Sequence, residues 1–255
     1  NHDVQRLWDL RLAHVADGNV IWRAAVDRPE FERIADRLIE RYFKRPNYYT
    51  IDGKPVFMIY EQQNLLDGLG GAEATRDALD WFRGRAVEAG LPGLHLQMCA
   101  FQQSFRIAGA AGGPTASPTE LVDLLGLDSV SHYQYVHFAD IDREYDEIMV
   151  DVVAEWQRLD REYAVPYFAH VSMGWDANPR FQTLQRGIVR NNSPEAIERA
   201  FRQARAYVDA HPDQPPLITV NSWNEWTETR YLQPDDVHGY GYLEAARRVF
   251  VDEVG

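Results

Sequence analysis

The chain has 255 residues, with 26 basic and 39 acidic side chains and a formal net charge of −13 at pH 7. This charge repels phosphate backbones and anionic lipid, which argues against nucleic acid and membrane surfaces as partners. No apolar run reaches the roughly 18 residues that a membrane-spanning helix needs. The single cysteine, Cys99, excludes a disulfide within these residues and a thiolate-built metal site.

Five short apolar runs follow one another along the chain. Each is too short for a helix, and several are preceded by Gly- or Pro-containing turns, so we predict five β-strands. They cover residues 55–60, 94–99, 129–135, 166–171 and 217–221.

Longer amphipathic stretches separate these runs and predict helices near residues 28–43, 145–159, 197–208 and 240–250. In the first of them Phe31, Ile34, Leu38 and Tyr42 are spaced to form one inward face. Ser117 and Glu120 have the spacing of a capping box and predict the start of a further helix.

The alternation of strand and helix predicts an α/β fold with a parallel sheet. Successive strands begin 39, 35, 37 and 51 residues apart, which is the cadence of a TIM barrel. Because five units are visible, we interpret them as strands four to eight of a (β/α)8 barrel. On this interpretation residues 1–255 form a single domain that is incomplete at its N-terminus. An open, doubly wound sheet is the alternative.

Two carboxylates lie just beyond the last predicted strand, in the run NSWNEWTE at residues 221–228. Glu225 and Glu228 are three residues apart, and indoles flank both of them. Paired carboxylates at a strand's carboxyl end can divide the acid and the base or nucleophile roles in glycosidic-bond cleavage. The alternative is structural, in which Glu228 caps a helix or pairs with Arg230 and the tryptophans only pack.

Several segments together resemble the glycoside hydrolase family 99-like proteins, which include the WbsX-like proteins of polysaccharide biosynthesis. The resemblance is carried by YFKRPNYYTIDGKPVFMIY, GLPGLHL, VPYFAHVSMGWDANPR and NSWNEWTETRYLQPDDVHGYGYL, in this order along the chain. The first residues, Asn1-His2-Asp3, resemble the end of the family's W-A-N-H-D strand, which supports the interpretation of a truncated barrel.

The resemblance implies a (β/α)8 barrel and a retaining, endo-acting hydrolase. It implies that Glu225 is the base that assists the substrate's own 2-hydroxyl group, through a 1,2-anhydro intermediate. It likewise implies that Glu228 is the general acid/base on the leaving oxygen.

Other polar and aromatic residues at the predicted strand ends are candidates for the substrate-binding rim of the cleft. For each one alone, a packing, turn or core role is the alternative. These candidates are His2, Asp3, Glu61, Tyr133, Tyr135, His170, Trp175, Asp176, Asn221, Trp223, Asn224, Trp226 and Tyr231. Histidine spacing gives no zinc motif, and we predict neither a metal nor a cofactor.

The leading hypothesis is a glycoside hydrolase that acts on a polysaccharide or glycan. A WbsX-like glycosyltransferase is one alternative, and a glycan-binding barrel without activity is another. The sequence shows no evident basic pocket for a sugar-nucleotide diphosphate, which weighs against the transferase. The sugar, the linkage, the oligomeric state and the cellular location are not predictable from these residues.

Overall fold

The computed structural model describes residues 4–5, 20–24, 26–109 and 112–252. They fall into two compact units. The described residues of the first unit are 4–5, 20–24, 26–109, 112–130 and 164–166, and those of the second are 131–163 and 167–252.

The described part of the first unit contains four α-helices, a π-helical turn, seven complete strands and the start of an eighth. Its elements are β1 (Val4–Gln5), β2 (Val20–Trp22), α1 (Arg28–Leu38), β3 (Thr50–Ile51), β4 (Lys54–Ile59), α2 (Gln62–Leu69), α3 (Ala72–Glu88), β5 (His95–Cys99), β6 (Phe105–Arg106), β7 (Thr115–Ala116), α4 (Pro118–Leu125) and the first two residues of β8 (Ser129–Ser131).

The sheet of the first unit runs in the order β3-β4-β5-β8. Strands β3 and β4 form an antiparallel hairpin whose turn, at Asp52 and Gly53, has positive φ at both residues. Strand β4 is parallel to β5, from Val56 opposite His95 to Ile59 opposite Met98. All five residues of β5 are buried, as expected of a parallel strand that is covered on both faces. Two predicted strands, near residues 55–60 and 94–99, are therefore confirmed.

Helix α1 corrects the predicted inward face of this segment. Of the four residues predicted to face inward, only Phe31 is buried, and Tyr42 is exposed. The helix continues into a π-helical turn, Ile39–Phe43, and the buried positions are Phe31, Ala35, Ile39 and Phe43. Ile34 and Leu38 are half-buried beside this face.

The capping box predicted before α4 is present. The Ser117 hydroxyl accepts a hydrogen bond from the Glu120 backbone N–H, and the Glu120 carboxylate accepts one from the Ser117 backbone N–H. These two bonds satisfy two of the donors that the first turn of a helix leaves without intrahelical partners.

The second unit holds the remaining elements. They are the last residue of β8, α5 (Tyr145–Glu162), β9 (Tyr167–Phe168), β10 (His170–Ser172), α6 (Pro194–Asp209), β11 (Thr219–Asn221), β12 (Asn224–Glu225), β13 (Arg230–Tyr231) and α7 (Gly241–Phe250), with 3₁₀ turns at Tyr135–His137, Asn178–Arg180 and Trp226–Glu228.

Strands β10 and β11 are parallel, with His170 opposite Thr219 and Ser172 opposite Asn221. Helix α6 packs against β10 and α7, and its first turn is capped by Ser193. No helix in the described ranges is both long and apolar enough to cross a bilayer.

The predicted strand at residues 129–135 is shorter than expected and ends at Ser131. Beyond it the Gln134 side chain accepts a hydrogen bond from the Tyr135 backbone N–H, and a 3₁₀ turn begins.

Candidate functional site

A small hairpin follows β11 and carries both predicted catalytic carboxylates. Strand β12 is antiparallel to β13, with Glu225 opposite Arg230. The 3₁₀ turn Trp226–Glu228 joins them, and Thr229 closes it in the left-handed conformation at φ 53°. The Ser222 hydroxyl accepts a hydrogen bond from the Glu225 backbone N–H at 3.0 Å. The hairpin therefore places Glu225 and Glu228 on one short turn beyond the end of β11, as the sequence predicted.

One guanidinium group bridges the two carboxylates. Arg180 Nη2 donates to Glu225 Oε1 at 2.7 Å, and Arg180 Nη1 donates to Glu228 Oε1. A second guanidinium, that of Arg230, pairs with Glu228 Oε2. The Glu228 side chain is only 8% exposed, whereas that of Glu225 is 33% exposed. Glu228 is thus the buried member of the pair and is held on both oxygens.

Aromatic rings hold Arg230 in place. Its guanidinium carbon lies 5.0 Å from the ring centroid of Tyr133 and 5.3 Å from that of Trp175, within the range of cation–π attraction. Arg230 Nη1 also donates to Asn221 Oδ1. Three residues predicted to bind substrate, Tyr133, Trp175 and Asn221, therefore support Arg230 in this structure.

Asp176 anchors the loop that carries Arg180. Its carboxylate Oδ1 accepts hydrogen bonds from the backbone N–H and the side-chain amide of Asn178, at 2.9 and 2.6 Å. The Asp176 backbone N–H donates to the Glu228 carbonyl at 2.9 Å, and the Thr229 hydroxyl donates to the Asp176 carbonyl. Asp176 therefore has the turn role that the sequence left open as the alternative to substrate binding.

An exposed aromatic surface flanks the carboxylates on the hairpin. Trp223 is 53% and Trp226 is 45% exposed, and Asn224 between them is also exposed. The Trp226 indole stacks on Tyr231 with 3.9 Å between centroids and donates from Nε1 to Gln233. Indole faces of this kind pack against the apolar faces of sugar rings.

Two further candidates lie in the core. Tyr135 is 1% exposed, and its hydroxyl donates to the His170 carbonyl at 3.3 Å. His170 is also buried, with Nδ1 2.8 Å from Thr219 Oγ1. The expectation that Tyr135 and His170 line a substrate cleft is therefore corrected. The early end of β8 turns Tyr135 inward, and His170 points into the interior from β10.

The last three candidates are not among the described residues of the second unit. Glu61 belongs to the first unit, where its Oε1 accepts a hydrogen bond from Gln102 Nε2 at 3.0 Å. His2 and Asp3 lie outside the described residues.

Cys99 is buried, and burial raises the pKa of its thiol.

Two histidines that the Arg230 cation influences, the half-buried His137 and the buried His170, are neutral near pH 7. Burial, with a contribution from the Arg230 cation, lowers the pKa of His137 to about 4. Burial, the Arg230 cation and His137 lower the pKa of His170 to about 3. Within the described ranges no cluster of three or more His, Cys, Asp or Glu side chains is arranged to hold a metal ion.

Sequence reasoning missed Arg180 as part of the site and treated Arg230 only as a structural alternative. Arg180 is 45 residues from Glu225 in the chain, so no local spacing connects them. The available signal was its position in the long loop after β10, which the barrel interpretation places near the strand ends.

The family model described as "Glycosyltransferase WbsX" matches residues 1–246. Two relatives, from the strains B100 and ATCC 33913 of Xanthomonas campestris pv. campestris, are both described as "Uncharacterized protein WxcX". Each is 26% identical over 219 residues, which cover 82% of this chain and 29% of the relative. The chain thus spans less than a third of the length of these relatives.

Solved structures of a GH99 endo-α-mannosidase from Bacteroides thetaiotaomicron have a similar fold. For one of them, in complex with bis-tris propane, the TM-score is 0.57 at 14% sequence identity. The alignment covers 91% of this chain and 67% of the mannosidase chain. For another, the TM-score is 0.58 at 14% sequence identity, and the alignment covers 91% of this chain and 63% of the mannosidase chain. At this identity the likeness shows the fold alone, and that fold is α/β and barrel-like.

Proposed function

This chain belongs to the family described as Glycosyltransferase WbsX, and we propose that it is a carbohydrate-active enzyme that cleaves glycosidic bonds in a polysaccharide or glycan. One observation carries the proposal. Glu225 and Glu228 lie on a single turn beyond a strand end and bind the same guanidinium. Paired carboxylates are the groups that glycosidic-bond cleavage requires.

The proposed reaction retains configuration and uses the roles that the family 99 resemblance implies. Glu225 takes the proton of the substrate's 2-hydroxyl group while that oxygen attacks the anomeric carbon. Glu228 donates a proton to the departing glycosidic oxygen, and a 1,2-anhydro sugar is formed. A water molecule then attacks the anomeric carbon, Glu228 takes its proton, and Glu225 returns a proton to the 2-oxygen. Two inversions give net retention.

Arg230 supports this chemistry by fixing the position of Glu228. A catalytic carboxylate must be held close to its productive geometry by neighbours that are themselves fixed. The Arg230 side chain is 3% exposed, and the two aromatic rings and Asn221 restrain it. We propose that Glu228 acquires its orientation through this contact.

The test is glycan cleavage by the protein and its Glu→Gln variants. The protein is incubated with mannan-type and other bacterial glycans, and new reducing ends and their anomeric form are followed. We expect cleavage with retention that is lost, by about 100-fold or more, in Glu225→Gln and Glu228→Gln. Glu244→Gln, which alters an exposed carboxylate on α7, is the matched control and is expected to keep full activity.

Glycosyl transfer is the second candidate, and the description of the family favours it. Guanidinium groups also bind the diphosphate of a sugar-nucleotide donor, but Arg180 and Arg230 are both already paired with carboxylates. An Asp-x-Asp tripeptide at residues 140–142 is likewise engaged, because Asp142 pairs with Arg190 at 2.9 Å and Asp140 accepts a hydrogen bond from the Asp142 backbone.

Adding sugar nucleotides to the same incubations separates the candidates. Product that appears only with a nucleotide donor would establish transfer and overturn the hydrolase proposal. Glycan binding without turnover, unchanged by either Glu→Gln substitution, would indicate a binding protein without catalytic activity.

A further inference from the structure

Arg180 engages the proposed site through all three of its guanidinium nitrogens. Nε donates to Thr227 Oγ1 at 2.9 Å, Nη2 donates to Glu225 Oε1 at 2.7 Å, and Nη1 donates to Glu228 Oε1. The guanidinium therefore lies between the two carboxylates that the proposed reaction uses.

The two arginines of the site differ in how firmly they are held. The Arg230 side chain is 3% exposed, and removing it would leave Glu228 buried beside fewer counter-charges. The Arg180 side chain is 27% exposed and reaches the carboxylates from the loop after β10. When Arg180 withdraws, its charge can return to water while Glu228 keeps Arg230 as its counter-ion. Arg180 is therefore the removable partner.

The oxygens that Arg180 binds are the ones that a substrate needs. Glu228 Oε2 is occupied by Arg230, so Oε1 is the atom available for proton exchange with a glycosidic oxygen. Arg180 occupies that atom and also Glu225 Oε1. A glycan and the Arg180 guanidinium must therefore compete for the same acceptors. The guanidinium is also a planar, delocalised cation, as is the oxocarbenium-like centre of the transition state.

Resting on the proposed function, we infer that Arg180 is a specificity-determining residue that competes with the substrate for Glu225 and Glu228. A ligand enters by displacing Arg180 from Glu225 and Glu228. Polyhydroxylated amines are the ligand class that replaces it best, because they supply both a positive charge and hydroxyl groups to the two carboxylates. A neutral glycan must displace Arg180 with hydroxyl groups alone.

The test is calorimetric binding of bis-tris propane, a polyhydroxylated diamine, to the protein and its loop variants. Arg180→Ala removes the competitor and is expected to bind the amine about tenfold more tightly. Arg186→Ala is the matched control, because it removes the same charge from an exposed position on the same loop, and its affinity is expected to be unchanged. Adding Glu225→Gln to Arg180→Ala is expected to abolish the gain.

A second variant keeps the inference testable if Arg180→Ala does not fold. Lysine retains the charge but cannot bridge two carboxylates with a planar fork, so Arg180→Lys is expected to bind the amine with intermediate affinity. On a glycan that is cleaved, Arg180→Ala is expected to lower KM. A folded Arg180→Ala or Arg180→Lys protein that binds the amine no more tightly than the parent, or not at all, would overturn the inference.

The outcomes also separate the inference from the proposed function. Tighter amine binding without cleavage of any glycan would support the position assigned to Arg180 and defeat the proposed hydrolysis. Cleavage that depends on Glu228, with amine affinity unchanged in Arg180→Ala, would defeat the inference alone.

Discussion

Glu228 and Arg230 are two residues apart and form an ion pair in which their side chains are only 8% and 3% exposed. Arg230→Met leaves the buried Glu228 with only the partly exposed Arg180 as a counter-ion, so it is expected to lower the free energy of unfolding by about 3–5 kcal/mol. Urea unfolding followed by circular dichroism measures this loss. Arg199→Met, which removes an exposed pair with Asp146, is the control and is expected to cost at most about 1 kcal/mol.

The same pair makes a second measurement possible. Adding Glu228→Gln to Arg230→Met removes the buried carboxylate that has lost one of its two counter-ions, so the double variant is expected to be more stable than Arg230→Met alone. A Glu228→Gln effect on stability that is the same with and without Arg230 would show that the pair is not energetically coupled.

Gly174 lies where the loop after β10 approaches the hairpin. Its φ is +144°, and an added Cβ would lie 2.4 Å from the Asn192 side-chain nitrogen, which donates to the Met173 carbonyl. Gly174→Ala is therefore expected to lower the free energy of unfolding by more than about 1 kcal/mol. Gly84→Ala, in helix α3 with open space around the added Cβ, is expected to raise it by about 0.5–1 kcal/mol. Thermal unfolding of both variants tests the contrast, and a stabilised Gly174→Ala would contradict it.

Stability is expected to fall as the pH falls below about 6.5, the usual pKa of histidine. The folded-state pKa values of His137 and His170, about 4 and about 3, lie below the value in the unfolded chain. The unfolded chain therefore binds protons first, and each histidine costs about 1.4 kcal/mol per pH unit until its folded pKa is reached. Unfolding midpoints between pH 7 and pH 5 measure the slope.

Replacing one of these histidines provides the control for that slope. The pKa is lowered in the folded state for His95, His132, His137 and His170. His137→Gln removes one of these groups and is expected to make the dependence on pH shallower over the same interval. An unchanged slope would show that His137 is not protonated preferentially in the unfolded chain.

Trp223 presents its indole to solvent beside Glu225, and its exposed fraction is 53%. Because few packing contacts are lost, Trp223→Ala is expected to change the free energy of unfolding by less than about 0.5 kcal/mol. If the indole stacks on a sugar ring, the same variant weakens glycan binding by about tenfold, which calorimetry with a bound oligosaccharide measures. Trp22→Ala, which removes an exposed indole of the first unit, is the control and is expected to leave affinity unchanged.

The positions of the strands were predictable because apolar runs bounded by turn residues depend on local chemistry. The runs near residues 55–60 and 94–99 match β4 and β5 to within a residue or so. The run at residues 129–135 matches only in part, because the strand ends at Ser131 and the chain then enters a 3₁₀ turn that the Gln134 side chain caps. A hydropathy pattern does not report a side chain that competes with the sheet for hydrogen bonds.

The carboxylates of the site were predictable, but their neighbours were not. Glu225 and Glu228 share a short motif, whereas Arg180 reaches them from a separate loop. In the same way, Tyr133 and Trp175 are assigned to substrate binding by their place at strand ends, but in the structure their rings contact Arg230. Such contacts depend on tertiary packing between distant segments, which the spacing of residues along one segment does not encode.

Residues outside the hairpin hold the Arg230 side chain in place, so the hairpin cannot be transferred to another protein by itself. Transplanting residues 221–231 into another barrel would carry Glu225, Glu228 and Arg230. It would leave behind the rings of Tyr133 and Trp175 and the Arg180 guanidinium. The recipient would then contain the acid pair with a counter-ion, Arg230, that keeps Asn221 but has lost both of its aromatic contacts. An engineer who moves this site must therefore move the ends of three strands together with the hairpin.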